Sequence, residues 1–315
     1  MPHEIETMAF AGAKPWHGLG HELSENDLYD WESACKKSGL DWQADLVPLV
    51  TSDTNTEVDH RAVRRNTDGR ILGVVGPRYT VLQNRDSFQW FVPFLAAKEA
   101  ALHTAGSLRQ GSRIWVLAKL NRDPLVIAHG DEVEKFLLLC HSHDASLAVR
   151  VGFSPVRVVC ANTLALATGS DASKLIRVRH TKEVHQNLAA IREVMNLANQ
   201  EFEATAEQYR LLARKNINQA DLQKYLKLVF QVNDGQDAST RMKNLMDEVV
   251  GLFEAGRGNN LPSTRHTFWT AYNAVSEHLS YNRGRNADNR LNSLWFGDGA
   301  NLNRHALEVA LSMAV

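Results

Sequence analysis

Cysteine is scarce. The 315 residues hold three, Cys35, Cys140 and Cys160, an odd number and too few for a disulfide scaffold, which points to reduced thiols in a cytosolic setting. No apolar run approaches the ~18 residues of a membrane-spanning helix, so no membrane partner is expected. The first ten residues, MPHEIETMAF, have no basic stretch followed by an apolar one, and no secretory signal is expected. A phosphate loop, in which a glycine and then any four residues precede Gly-Lys-Ser/Thr, is missing. The glycines of 12–20, GAKPWHGLG, follow no strand and open no strong helix. Nucleotide and dinucleotide cofactors are therefore not expected. The G-x-S-x-G elbow and the H-E-x-x-H helix are missing as well, which removes two hydrolase classes.

What is there is an ordinary globular composition, 44% hydrophobic and 23% charged, in a chain long enough for about two domains. The net charge of −1 hides a strong asymmetry. Residues 1–60 carry 3 basic and 12 acidic side chains, residues 61–180 carry 17 and 9, and residues 181–315 carry 15 of each. An acidic head, a basic middle and a balanced tail define three regions. The head can mask the basic middle, or bind it in a neighbouring subunit, or both can be solvated faces.

Patterning predicts an α+β fold. Residues 1–30 lack periodicity and read as an irregular arm with a short helix near Leu28–Ser38. Strand-like pieces follow at Ala44–Val50, Arg61–Arg65, Arg70–Val75 and Tyr79–Leu82, separated by Asn, Asp, Gly and Pro turns. Asn84 reads as a cap for a helix over Arg85–Ala97, which Pro93 should kink. Ala101–Leu108 and Arg113–Leu120 flank a hairpin turn at 109–112. Glu134–Ser142, Leu147–Val159 (interrupted at Ser154-Pro155) and Leu175–His180 read as strands, with a short helix at Ala161–Thr168. Together these make a twisted antiparallel N-terminal sheet with short helices. From Thr181 the period changes. Val184, Leu188, Ile191, Met195, Ala198, Phe202, Thr205, Tyr209 and Leu212 alternate in steps of four and three, a heptad seam on one long helix that suits either a later helix of the same chain or another subunit. Helices at Gln219–Phe230, Ser239–Ala255, Ser263–Ser280 and Asn303–Ala314 complete an all-helical C-terminal region.

Three groups of residues are candidates for function. His141 and His143 would share one face of a strand, so two imidazoles can meet one metal ion, with Asp144 or His180 as a third ligand. The competing reading is a strand end running into an Asp-Ala-Ser turn. Cys160, among Val158, Val159, Ala161 and Leu164, has no activating neighbour and reads as a small buried residue. The basic residues are more suggestive. Arg61, Arg64 and Arg65 cluster on one strand piece. Arg109 and Arg113 flank the hairpin turn, Arg150 and Arg157 lie on successive strands, and Lys174, Arg177 and Arg179 form the densest run. Arg177 and Arg179 alternate with Ile176 and Val178, which makes one strand face cationic, suited to a phosphate backbone. Phe153, Trp115, Tyr79 and Trp90 lie near them and offer either stacking surfaces or core packing.

Several phrases, taken together, carry a resemblance. They are Pro15-Trp16-His17-Gly18-Leu19-Gly20, Tyr79…Gln83-Asn84-Arg85…Phe88, Ser142-His143-Asp144-Ala145-Ser146, Arg157–Leu164, Thr267-Phe268-Trp269 and Ala271–Glu277. In order and spacing the chain resembles the phage- and plasmid-borne proteins of the DUF932 family. Members often have a glycine where this chain has Ala145, and alanine there argues against a left-handed backbone at that turn. The resemblance implies a mobile-element setting in a bacterial cytoplasm and names no activity. Such elements often encode single-strand annealing proteins, ring-forming and independent of ATP, and the strand-then-helix order of 101–180 is similar to theirs at the level of fold. The expectation is a non-enzymatic, homo-oligomeric protein that binds single-stranded DNA along Arg109, Arg113, Arg150, Arg157, Lys174, Arg177 and Arg179. The alternatives are a virion or anti-defence interaction protein working through its helical half, and a metal-dependent nuclease centred on His141 and His143.

Overall fold

The computed structural model describes residues 5–12, 19–157, 162–163, 176–188, 198–232, 239–283, 293–294 and 297–315. The chain forms two compact units. The first comprises Met1–Arg122, Phe136–Phe153 and Lys174–Ala198, the second Asp123–Lys135, Ser154–Ser173 and Asn199–Val315. The units do not divide at one point, and the change of period near Thr181 falls inside the first.

The first unit is built on a sheet of β1 (Ile5–Phe10), β2 (His21–Glu22), β6 (Ala100–Leu108), β7 (Arg113–Leu120), β9 (Asp131–Ser142), β10 (Val149–Arg157) and β12 (Ile176–Val178), of which Asp131–Lys135 and Ser154–Arg157 are counted with the second unit. Their order is β10-β9-β7-β6-β1-β2, with β12 also on β10. β1–β6, β6–β7, β7–β9 and β10–β12 are antiparallel, and β1–β2 is parallel. Alternation decides the faces. Ile114, Val116, Leu137, Leu139, Val149, Val151 and Val178 turn one way into a core. That face is covered by α1 (Trp31–Lys37), α2 (Asn84–Gln89) and α3 (Val92–Ala96), through Ala34, Cys35, Phe88 and Leu95. β3 (Ala44–Val50), β4 (Glu57–Arg65) and β5 (Ile71–Val75) form a separate three-stranded antiparallel sheet.

Several local expectations change. The arm at 1–30 contains β1, paired with β6 inside the sheet, because Ile5, Met8, Ala9 and Phe10 are all buried there. Tyr79–Leu82 is no strand: Tyr79 and His180 stack and the segment serves as a lead into α2. Pro93 does interrupt its helix, and α3 restarts with that proline in its first turn. β10 runs through Ser154 and Pro155 without a break. Asn162–Thr163, expected as helix, is a short strand β11 paired with Val156 and Arg157.

The second unit is mainly helical: α4 (Ala198–Arg214), α5 (Gln219–Val229), α6 (Thr240–Ala255), α7 (Phe268–Glu277) with a π turn at His278–Asn282, and α8 (Asp298–Ala314). All ten residues of α7 are buried, which makes it the central helix of this unit. Its Trp269 indole donates to Asp131 Oδ2 at 2.8 Å. Tyr209 of α4 packs on Trp269 with ring centroids 4.8 Å apart, so the end of the heptad seam meets a later helix of the same chain. The start of the seam does something else. Val184 and Leu188 are helical and buried in the core of the first unit. The intervening 189–197 lies outside the described residues. β8 (Leu125–Ala128) forms a hairpin with the first residues of β9.

Candidate functional site

Arg150 lies directly across from Arg177 in the β10–β12 ladder. Their neighbours Val149, Val151 and Val178 point into the core, so both guanidinium groups leave the sheet on its other face. Arg177 and Arg179 are exposed while Val178 and His180 are buried, the alternation expected of this strand. Burial, and then the positive charges of Arg177 and Arg113, lower the pKa of half-buried Arg150. Arg150 of β10 thus feels the charges of Arg113 on β7 and Arg177 on β12. Arg113 also donates to Ser146 Oγ at 3.0 Å.

The other predicted contacts are distributed differently. Arg109 is exposed in the β6–β7 turn, where it and Gln110 take φ of 51° and 56°. Arg157 ends β10 opposite Asn162 and belongs to the second unit. Lys174 lies outside the described residues, as does Cys160. Arg65, grouped by sequence with Arg61 and Arg64, is an internal residue. It is held by Glu6 at 3.0 Å, by the Gln110 carbonyl at 2.8 Å and by Asp68 at 3.4 Å, and lies over the Trp42 ring. Part of the acidic head therefore binds the basic middle within one chain. The nearby aromatics serve packing: Trp90 and Trp115 are buried, and Tyr79 and Phe153 pack against the core.

On the core face the sheet ends in three histidines. His141 and His143 are fully buried with ring centroids 4.9 Å apart, and His180 lies 5.8 Å from His141. Their tautomers follow from their partners. Asn84 donates its amide to the Leu40 and Trp42 carbonyls, at 3.2 and 3.3 Å, which turns its oxygen to His143 Nε2 at 2.9 Å. Nε2 of His143 must then carry the proton. His180 Nδ1 faces the Thr80 carbonyl at 3.2 Å and is protonated for the same reason. Among the described residues neither nitrogen of His141 has a hydrogen-bond partner. Burial first, then the like charge of His180, pushes the His143 pKa down to about 3, and burial lowers those of His141 and His180 as well. All three are neutral at pH 7. Neutral imidazoles are metal ligands in kind, yet among the described residues no group of three or more His, Cys, Asp or Glu is arranged to hold an ion. Asp144 instead accepts from the Ser146 N–H at 2.9 Å, the Asp-Ala-Ser turn of the competing reading.

What the cluster does is tie segments together. Tyr79 stacks on His180 at 4.8 Å and donates to the Ser142 carbonyl at 2.8 Å. Trp42 packs against His143 at 5.3 Å. Residues from two of the phrases that carry the resemblance, Tyr79…Asn84 and Ser142-His143, thus meet in space. Ala145, two residues after His143, does adopt a left-handed backbone, with φ of 57°, against the expectation drawn from its identity. The turn needs that conformation, so this chain bears a strain that glycine would not.

No helix among the described residues is long and apolar enough to cross a membrane. No curated protein and no solved structure matches the chain. A family model described as a domain of unknown function (DUF932) matches residues 71–295, most of the chain, and the protein belongs to that family.

Proposed function

We propose that the protein binds single-stranded DNA without chemistry of its own, as a homo-oligomer, in the recombination or replication of a mobile element. The observation that carries this reading is the juxtaposition of Arg113, Arg150 and Arg177 on the sheet face turned away from the core, with exposed Arg179 just past the end of β12. Guanidinium groups spaced along a ladder suit phosphates on a flexible strand, and such contacts carry no base information. Self-association draws support from the three-stranded sheet, which exposes Val50, Val58, Ile71 and Val74, more aliphatic surface than an isolated small sheet gains from showing.

The test is oligonucleotide binding as a function of salt. With about four to six phosphates neutralised, log K against log salt should slope at around −3 to −4 for a single strand. Replacing Arg177 and Arg179 together by Ala should weaken binding to all sequences alike. Both residues are exposed, so folding is not at stake. Unchanged affinity in that variant, or no binding by the parent at low salt, would leave the interaction-protein reading in its place. Sedimentation at micromolar concentration showing only a 35.2 kDa species would remove the oligomer.

A further inference from the structure

On the helical side of the same unit lies a cavity of about 280 Å³, between α1 and the segments entering β3 and α2. Half-buried Trp31 lines it, with the Arg85 guanidinium stacked over its ring at 5.5 Å. Trp42, whose indole N–H has no acceptor among the described residues, lines it too. The remaining charged groups at its edge are Glu32, Asp41 and Lys36, all exposed. Gln83 lines it but is occupied, its side chain bonding both the N–H and the carbonyl of Ala44.

These groups narrow the ligand. The volume is at the lower end for ligand clefts, which run from about 300 Å³ upward, so a dinucleotide or a peptide is too large. Two carboxylates disfavour an anion. Lys36 and Arg85 disfavour a cation, and Arg85 already takes the cation site on the Trp31 face. What remains is a small, neutral, planar ring with donors and acceptors at its edge. We propose that this cavity takes a nucleobase that enters between Trp31 and Arg85: the exposed Arg85 side chain swings outward from its present place over the Trp31 ring and closes on the other face of the base, and the edge is read by the carboxylates and Lys36. Base–aromatic stacking with hydrogen bonding at the base edge is how single-stranded bases are recognised in general. The base can belong to a free nucleoside or to an unpaired nucleotide of a strand. The inference stands apart from the arginine patch, whose side chains leave the opposite face of the sheet.

The experiment is calorimetric and tryptophan-fluorescence titration of the full-length protein with adenosine, guanosine, cytidine and uridine. At least one should give a saturable signal at or below millimolar concentration. Arg85→Ala should weaken it by about fivefold, the worth of one such contact, and Trp31→Leu, checked for native circular dichroism, by about tenfold. The double variant Arg177→Ala/Arg179→Ala should leave nucleoside affinity untouched, so that failure of the DNA reading and failure of this one are told apart. Competition assigns the source. A nucleoside that displaces an oligonucleotide places a strand's base in the cavity, and one that binds without displacing it makes the ligand a free nucleoside. No saturation with any of the four overturns the proposal, as does saturation that neither Arg85→Ala nor Trp31→Leu weakens.

Discussion

Single residues decide how the turn after β9 is made. Ala145 holds φ at 57°, where a Cβ crowds the following carbonyl. Ala145→Gly should therefore raise stability by about 1 kcal/mol, the relief of strain exceeding the entropy that glycine adds to the unfolded chain; chemical denaturation reads this as a higher midpoint. The preceding position, Asp144, acts in the reverse sense on Gly73 of β5. A Cβ there would stand 2.5 Å from Asp144 Cα, a backbone atom that cannot step aside. Gly73→Ala should cost about 2 kcal/mol. The histidines predict pH dependence. Their folded pKa values lie below 6.5, so below that pH the unfolded chain binds more protons than the folded one. Stability complete at neutral pH should decline as pH falls through 6.5, by up to about 1.4 kcal/mol per pH unit for each histidine. A denaturation midpoint flat from pH 7 to pH 5 would contradict this. None of these details was legible beforehand, because alanine identity argues against the backbone that the surrounding contacts impose.

Elements were more readable than their joints. β3 and β7 lie where the sequence puts them, β3 as a half-buried strand and β7 as a run of β-formers bounded by the 109–112 turn, buried on both faces. β1 was missed because its buried residues do not alternate: three of them, Met8, Ala9 and Phe10, are consecutive, as befits a strand covered on both faces. α1 is short, and its stability comes from an anchor outside it. The Asp27 carboxylate, almost fully buried, accepts from Ser24 N–H at 2.6 Å and from Ser24 Oγ, Ser33 Oγ and Lys37 Nζ, each at 2.5 Å. Burial alone would raise its pKa, but these donors, Lys37 foremost, overcome that and hold it well below the usual carboxylate range. Its contribution is present above the unfolded value near 3.8 and is lost as pH falls below that. Asp27→Ala should cost on the order of 3 kcal/mol, since it strands a lysine and two serines, and α1 should exchange its amide hydrogens faster than α2.

At the scale of the whole molecule, the two units share the chain in alternating segments. The helical turn at Val184–Leu188 belongs to the first core, and the Leu188 carbonyl accepts from the Trp90 indole at 2.7 Å. A fragment ending at residue 180 should lose about 3–5 kcal/mol relative to one ending at 188, from two aliphatic side chains and one buried hydrogen bond. Limited proteolysis of the two fragments measures the difference. Equal resistance would mean that this turn is dispensable to the first unit. By itself the sequence determined the α+β class, the family, the hairpin at 109–112, the cationic face of β12 and the placement of most helices, because each of these rests on local period, turn chemistry or residue type. Only the tertiary structure decided that Arg113 and Arg177 both lie near Arg150 while Arg65 is bound internally, that His143 and His180 are oriented by Asn84 and the Thr80 carbonyl, and that one heptad seam serves two cores. Those outcomes depend on which strands become neighbours and which face each turns inward, and strand pairing between distant segments leaves no mark on the period of any one of them.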